Sequence, residues 1–183
     1  MEVIATKIPA VLLLKPTVFE DGRGFFMETF HAENFAAYGL PTEFVQDNHS
    51  GSSQNVLRGL HYQVTEPQGK LVRVTAGVVF DVAVDLRRDS KTFGHWVGEN
   101  LSAANRQLAW IPPGFAHGFY VLSVWAEVQY KCTTPYRPEY DRALRWDDPD
   151  IGIAWPLAEG QPPALSDKDA AAPLLKDLET ELF

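Results

Sequence analysis

The sequence predicts an all-β fold, two sheets closed into a sandwich or barrel, and three observations carry that prediction. Thirteen Gly and thirteen Pro are spread through 183 residues and cut the chain into segments of strand length. Within those segments β-branched and aromatic residues alternate with polar ones, the period of a half-buried strand. Helical patterns are confined to two short stretches, neither long enough to form a core.

In chain order, strands are expected over residues 11–14, 24–29 and 56–63. Residues 70–86 read as a hairpin broken at Ala76-Gly77, and further strands are expected at 94–101, 107–111, 118–122 and 124–133, each bounded by Gly, Pro, Asn or Ser. A short helix over 31–38 ends on Gly39, and a second is expected over 173–182, with Pro173 at its start. The Pro-rich stretch 155–163 is too short for a linker, so one compact domain over 1–183 is expected, its tail from about residue 164 packed back on the body.

Alternation assigns the faces. Phe80, Val82, Val84 and Leu86 form one wholly apolar face, and Val79, Asp81, Ala83 and Asp85 form the other, which sets Asp81 among small apolar neighbours, toward a cavity. Val124, Ala126, Val128, Tyr130 and Cys132 share a face, which turns Tyr130 inward, where its hydroxyl needs a partner.

Composition narrows the function. Sixteen Lys and Arg against 24 Asp and Glu leave a net charge of −8, which argues against a nucleic-acid or anionic-membrane surface. Cys132 is the lone cysteine, so neither an internal disulfide nor a Cys-only zinc site is available, and a reducing compartment fits. The apolar run 10–14 stops at Lys15, far short of the ~20 residues that cross a bilayer. Glu2 stands where a secretory signal carries positive charge, so a cytoplasmic protein is expected.

Five histidines are available for chemistry, and none forms a His-x-His pair. His31 and Glu33, the one close His-acid pair, lie two residues apart in a predicted helix and do not face each other, so no metal site is expected. Arg58 and His61 sit in an otherwise apolar strand, where buried polar groups are costly unless satisfied. Strict alternation puts them on opposite faces, as a surface Arg and a hydrogen-bonded core His; a bulge at Gly59 would bring both into one site. His117 is delivered by a Pro112-Pro113-Gly114 turn at a strand start, either as a packed turn residue or as a site residue. Arg23 lies between Gly22 and Gly24 at a turn that a ligand can approach, or that is only solvated. Gln46 to Ser50 is a polar stretch readable as a binding row or a loop, and Ser166-Asp167-Lys168-Asp169 reads as a helix-capping turn.

Seven segments in order carry a resemblance to one family: Asp21-x-Arg23-Gly24-x-Phe26-x-Glu28, Gln46-x-Asn48-x-Ser50, residues 56–63 (VLRGLHYQ), residues 69–74 (GKLVRV), residues 81–87 (DVAVDLR), Ile111-Pro112-x-Gly114-Phe115-Ala116-His117-Gly118-Phe119 and Tyr130-Lys131-Cys132-Thr133. From about Thr17 to Asp169 the chain resembles the dTDP-4-dehydrorhamnose 3,5-epimerases. Asn55 stands where the family has Gly, Asp141 where it usually has Glu, and the loop 64–68 is shorter and more acidic than its counterpart.

The resemblance implies a cupin-type jelly roll with a few short peripheral helices, a homodimer, and inversion of C3 and C5 in a dTDP-4-keto-6-deoxy sugar, with no metal and no cofactor. Protons next to a ketone become removable when the enolate oxygen meets a cation, and inversion needs a base and an acid on opposite faces. The resemblance gives those roles to His61 as base, Asp169 as its orienting carboxylate, Tyr130 as acid and Lys70 near the C4 oxygen. It gives the diphosphate to Arg23, Arg58 and Lys168, the sugar pocket to His117 and thymine stacking to Tyr136. Phe26, Glu28, Gln46, Asn48 and Asp141 complete the substrate-binding set. Residues 1–50 include an arm that the neighbouring subunit supplies in the family. A single-centre epimerase of the same fold and a non-catalytic nucleotide-sugar-binding cupin are the alternatives.

Overall fold

The computed structural model describes residues 1–178 and 182–183. Its strands are β1 (Glu2–Ala5), β2 (Leu12–Lys15), β3 (Val18–Asp21), β4 (Gly24–Met27), β5 (Gln46–Ser53), β6 (Leu57–Gln63), β7 (Lys70–Ala76), β8 (Val78–Asp85), β9 (Trp96–Ser102), β10 (Leu108–Ile111), β11 (Phe115–Val121), β12 (Trp125–Cys132) and β13 (Asp141–Ala143). Helices are few and short, α1 (Ala32–Ala37), α2 (Asp167–Ala170) and a 3-10 turn over Leu175–Asp177. One sheet runs β1-β2-β10-β7-β12-β5, the other β13-β6-β11-β8-β9, and β3-β4 form a separate hairpin. All of these pairings are antiparallel.

The two sheets face each other across a core drawn from both. Leu13, Val72, Val74, Ala126 and Val128 come from the six-stranded sheet, and Val79, Ala83, Val97, Leu101, Phe115, Phe119 and Val121 from the five-stranded one. Each fully buried Val or Leu contributes ~1.5–3 kcal/mol relative to exposure. The opposite face of the five-stranded sheet, with Leu60, Tyr62, Val82, Val84 and Leu86, is covered by Leu144, Ile151, Leu178 and the half-buried Trp155 from the C-terminal third. The outer face of the six-stranded sheet, with Leu14, Leu71, Leu108 and Trp110, is covered by Phe35 of α1 and by Leu40.

The expected hairpin over residues 70–86 is not formed. β7 pairs with β10 and β12, whereas β8 pairs with β9 and β11. The chain crosses from one sheet to the other at Gly77, whose φ of +72° and close approach to the Trp125 carbonyl leave no room for a side chain. β8 is buried on both faces, so it needs a partner on each edge and a cover on each side, which its neighbour in sequence does not supply. The helix expected over 173–182 is reduced to the Leu175–Asp177 turn, and residues 179–181 lie outside those described. The polar stretch at Gln46 is an eight-residue edge strand, β5. No helix among the described residues is long and apolar enough to cross a membrane.

Candidate active site

A cavity of about 520 Å³ opens between the sheets. Arg58, His61 and His117 line it from the five-stranded sheet, Ser50, Lys70 and Tyr130 from the six-stranded one, and Ser166 and Asp169 from the segment entering α2.

The bulge at Gly59 brings Arg58 and His61 together. His117 pairs with His61 and Phe119 with Arg58, so three steps on β6 oppose two on β11. Gly59 has a φ of +116°, and a Cβ there would meet Gly118 Cα at 2.6 Å and the His117 carbonyl at 2.7 Å, so only glycine fits. With Leu60 and Tyr62 packed on the outer face, His61 turns inward. Arg58 donates from Nε to Ser52 Oγ at 2.9 Å, which fixes the guanidinium over the cavity.

His61 Nε2 lies 2.6 Å from Asp169 Oδ1. Asp169 is 3% exposed and stands at the start of α2, where its backbone N–H donates to the Ser166 N-cap hydroxyl. Burial pushes the Asp169 carboxyl up, but the hydrogen bond and charge of His61, with donation from Ser166 and the Gly59 N–H, hold it below the usual range. A buried carboxylate of this kind fixes the imidazole's orientation and stabilises its protonated form.

A second pair lies beside the first. His117, directly across from His61, bonds through Nε2 to Asp81 Oδ2 at 2.8 Å, both residues being buried. Asp81 was legible only as an inward-facing acid, and its partner is set by strand pairing between β8 and β11.

Lys70 and Tyr130 face these pairs from the other sheet. Lys70 is 8% exposed, and its Nζ donates across the gap to the His61 carbonyl at 3.3 Å. Burial lowers its pKa, opposed by Cys132, Asp141 and Asp81. Tyr130 packs against the core and lines the cavity; burial, with Cys132 and Asp141, raises its pKa, while Arg58 opposes. Its phenol therefore keeps its proton across the neutral range.

The remaining expected residues form a rim or stand apart. Tyr136 donates from its hydroxyl to Asp141 Oδ2 at 3.0 Å, and Lys168 Nζ bonds to the same oxygen. The Tyr136 N–H donates to Gln46 Oε1 at 2.7 Å, Gln46 Nε2 to Asn48 Oδ1 at 3.0 Å, and Asn48 Nδ2 to Cys132 Sγ at 3.6 Å. Arg23, Phe26 and Glu28 are not brought to this cavity within the chain. Arg23 is paired with Asp21 on the β3-β4 hairpin, Phe26 is 69% exposed, and Glu28 accepts from Asn34. Among the described residues no group of three or more His, Cys, Asp or Glu is placed to hold a metal ion.

A His–Asp pair on one wall, with a tyrosine and a buried ammonium on the other, suits proton transfer at carbons flanking a carbonyl. Comparison with known proteins points the same way. The family model described as dTDP-4-dehydrorhamnose 3,5-epimerase matches residues 5–177. A dTDP-4-dehydrorhamnose 3,5-epimerase of Neisseria gonorrhoeae is 60% identical over 93% of the chain, which spans 52% of that relative's length. One from Pseudomonas aeruginosa is 56% identical, with 92% of the chain and 93% of the relative covered. The crystal structure of a Legionella pneumophila dTDP-6-deoxy-D-glucose-3,5-epimerase in complex with dTDP-4-keto-L-rhamnose superposes with a TM-score of 0.92 at 52% identity, covering 96% of this chain and 93% of that one. The fold is accordingly the cupin-type jelly roll of those structures. The chain belongs to the dTDP-4-dehydrorhamnose 3,5-epimerase family.

Proposed function

We propose that the protein converts dTDP-4-dehydro-6-deoxy-D-glucose to dTDP-4-dehydro-L-rhamnose by inverting C3 and C5 in turn. The observation that carries this reading is the His61–Asp169 pair on one wall of the cavity with Tyr130 on the other. His61 removes the proton at C3, Asp169 stabilises the imidazolium that forms, and the electron pair moves onto the C4 oxygen as an enolate. Lys70 donates to that oxygen, a contribution of ~2.7–4 kcal/mol in the transition state. Tyr130 delivers a proton to the opposite face of the carbon; the His61 imidazolium then releases its proton to solvent, the Tyr130 phenolate takes one up, and the cycle repeats at C5.

Arg58 and Lys168 bind the diphosphate, His117 held by Asp81 bonds the sugar, and Tyr136 stacks on thymine, with Gln46, Asn48 and Asp141 at the nucleotide. Local convergence of these cations offsets the net charge of −8. In this reading the protein is a homodimer whose N-terminal arm, within residues 1–50, carries Arg23, Phe26 and Glu28 to the neighbour's cavity. Exposure of Phe19, Phe25 and Phe26 at 63%, 57% and 69% on the β3-β4 hairpin supports a covering partner. Residues 1–183 act as one domain with no cofactor, in the cytoplasm, where Cys132 stays reduced.

Supplying purified protein, dTDP-4-keto-6-deoxyglucose and a rhamnose-forming 4-ketoreductase with NADPH tests the reading. It predicts dTDP-rhamnose as the product. A product epimerised at one centre only would move the protein to the single-centre class, and bound but unchanged substrate would make it a binding cupin.

A further inference from the structure

The segment that carries Asp169 into the cavity crosses the outside of the five-stranded sheet before it enters α2, and two side chains of the body grip it. Asn55, between β5 and β6, has a φ of +69°. Its Nδ2 donates to the Pro162 carbonyl at 2.8 Å and its own carbonyl accepts from the Ala164 N–H at 2.8 Å. Its Oδ1 accepts from the hydroxyl of Tyr120 at 2.8 Å, and that hydroxyl in turn accepts from the Ala158 N–H at 3.4 Å. Tyr120 is 2% exposed and alternates on β11 with Phe119 and Val121, which face the core, so it points outward under the crossing segment. The Leu57 N–H adds a bond of 3.0 Å to the Ala164 carbonyl.

Beyond Ala164 the chain passes Leu165 and Ser166, both lining the cavity, and three residues later reaches Asp169. The next backbone anchor after α2 is the Pro173 carbonyl, which accepts from the Arg145 N–H at 2.9 Å. The helix that presents Asp169 is a single turn and has little stability of its own, so its position is set by the anchors on either side. We propose that Asn55 and Tyr120 are positioning residues for the His61–Asp169 pair, acting through the segment 158–166. The inference rests on the epimerase reading and deepens it: neither residue touches the cavity's reacting centre, and each acts by fixing where Asp169 stands.

Misplacement of a catalytic partner by about 1 Å costs up to ~10²-fold in rate, and a loosened anchor shifts the partner by a fraction of that. Asn55→Gly keeps the left-handed backbone and removes both side-chain bonds; Tyr120→Phe keeps the packing and removes the hydroxyl. Each is expected to lower kcat for deuterium exchange at C3 about fivefold to twentyfold at a temperature well below its melting midpoint. In an Asp169→Ala background the same substitutions are expected to change the residual rate by less than about twofold, because the group they position is gone. A merely structural role would lower the rate in both backgrounds alike. Unchanged kcat in both variants, or an equal loss with and without Asp169, would overturn the proposal. Absence of exchange in the wild-type protein would instead remove the epimerase reading, and the two failures are distinguishable.

Discussion

His61 and Asp169 are 108 residues apart in the chain and 2.6 Å apart in the fold. Three features make that distance: the bulge at Gly59 that turns His61 inward, the Ser166 cap that starts α2, and the anchors that bring residues 162–164 across the sheet.

Removing either member of the pair separates proton abstraction from binding. His61→Ala is expected to lower exchange at both C3 and C5 by ~10²–10⁴-fold, the usual contribution of a general base, with dTDP affinity changed less than about threefold. Asp169→Ala is expected to cost roughly 10²-fold or more, since the imidazole loses its orienting partner. Single-turnover exchange and dTDP titration by calorimetry check both, and wild-type exchange in His61→Ala would sink the base assignment.

Tyr130 stands on the wall opposite His61, and on the proposed mechanism its loss affects only the second proton transfer. Tyr130→Phe is expected to keep deuterium uptake at C3 while net inversion falls by roughly 10²-fold. Chiral analysis of the recovered sugar, alongside its deuterium content, separates the two. Equal loss of uptake and inversion would mean that the phenol serves the first step.

On the proposed mechanism Lys70 trades stability for catalysis. Burial lowers its pKa, the mark of a charge held out of water, so Lys70→Met is expected to leave the melting temperature unchanged or raised while kcat drops by ~10²–10³-fold. Calorimetric melts and turnover measured on the same preparation test the pairing of these effects. A destabilised Lys70→Met protein would show that the ammonium is structural.

Away from the cavity, Asp85 sets an acid limit on stability. It is 0% exposed; burial pushes its carboxyl up, but donors from Arg87, Ser90 and Thr92 outweigh this and hold it at about 2, below the ordinary value of 3.8. Because the folded value is depressed, the stabilisation is fully present above the unfolded value and is lost as pH falls from 3.8 through about 2. Allowing for solvent screening it amounts to roughly 1–2 kcal/mol. Urea denaturation as a function of pH should show this loss in the wild-type protein and a flatter profile in Asp85→Asn.

Subunit sharing has its own test. Arg23→Ala and His61→Ala homodimers are both expected to be inactive. Mixing and reassociating them should recover about a quarter of wild-type activity, since half the dimers are mixed and each holds one intact site. No recovery would place the arm over its own chain's cavity.

Much of this was legible in the sequence, for identifiable reasons. Alternation in β8 and β12 separates inner from outer residues because the strand period is two, and the glycine between Arg58 and His61 marks the bulge that unites them. The 70–86 hairpin misleads because a two-residue Ala-Gly break is compatible with reversal within a sheet and with crossing between sheets; pairing partners decide, and they lie elsewhere in the chain. β5 reads as a binding row or a loop since this edge strand, whose Ser50 lines the cavity, carries Gln, Asn and Ser where a core strand carries Val. Long-range pairs such as His117 with Asp81 and Asn55 with Pro162 have no local signature.

The most direct measurement is proton NMR of dTDP-4-keto-6-deoxyglucose in deuterated water with the purified protein and no added metal, following the C3 and C5 signals separately. The account predicts that both signals disappear with the wild-type protein and that both persist with His61→Ala. Persistence of both signals with the wild-type protein, or their loss with His61→Ala, would contradict it.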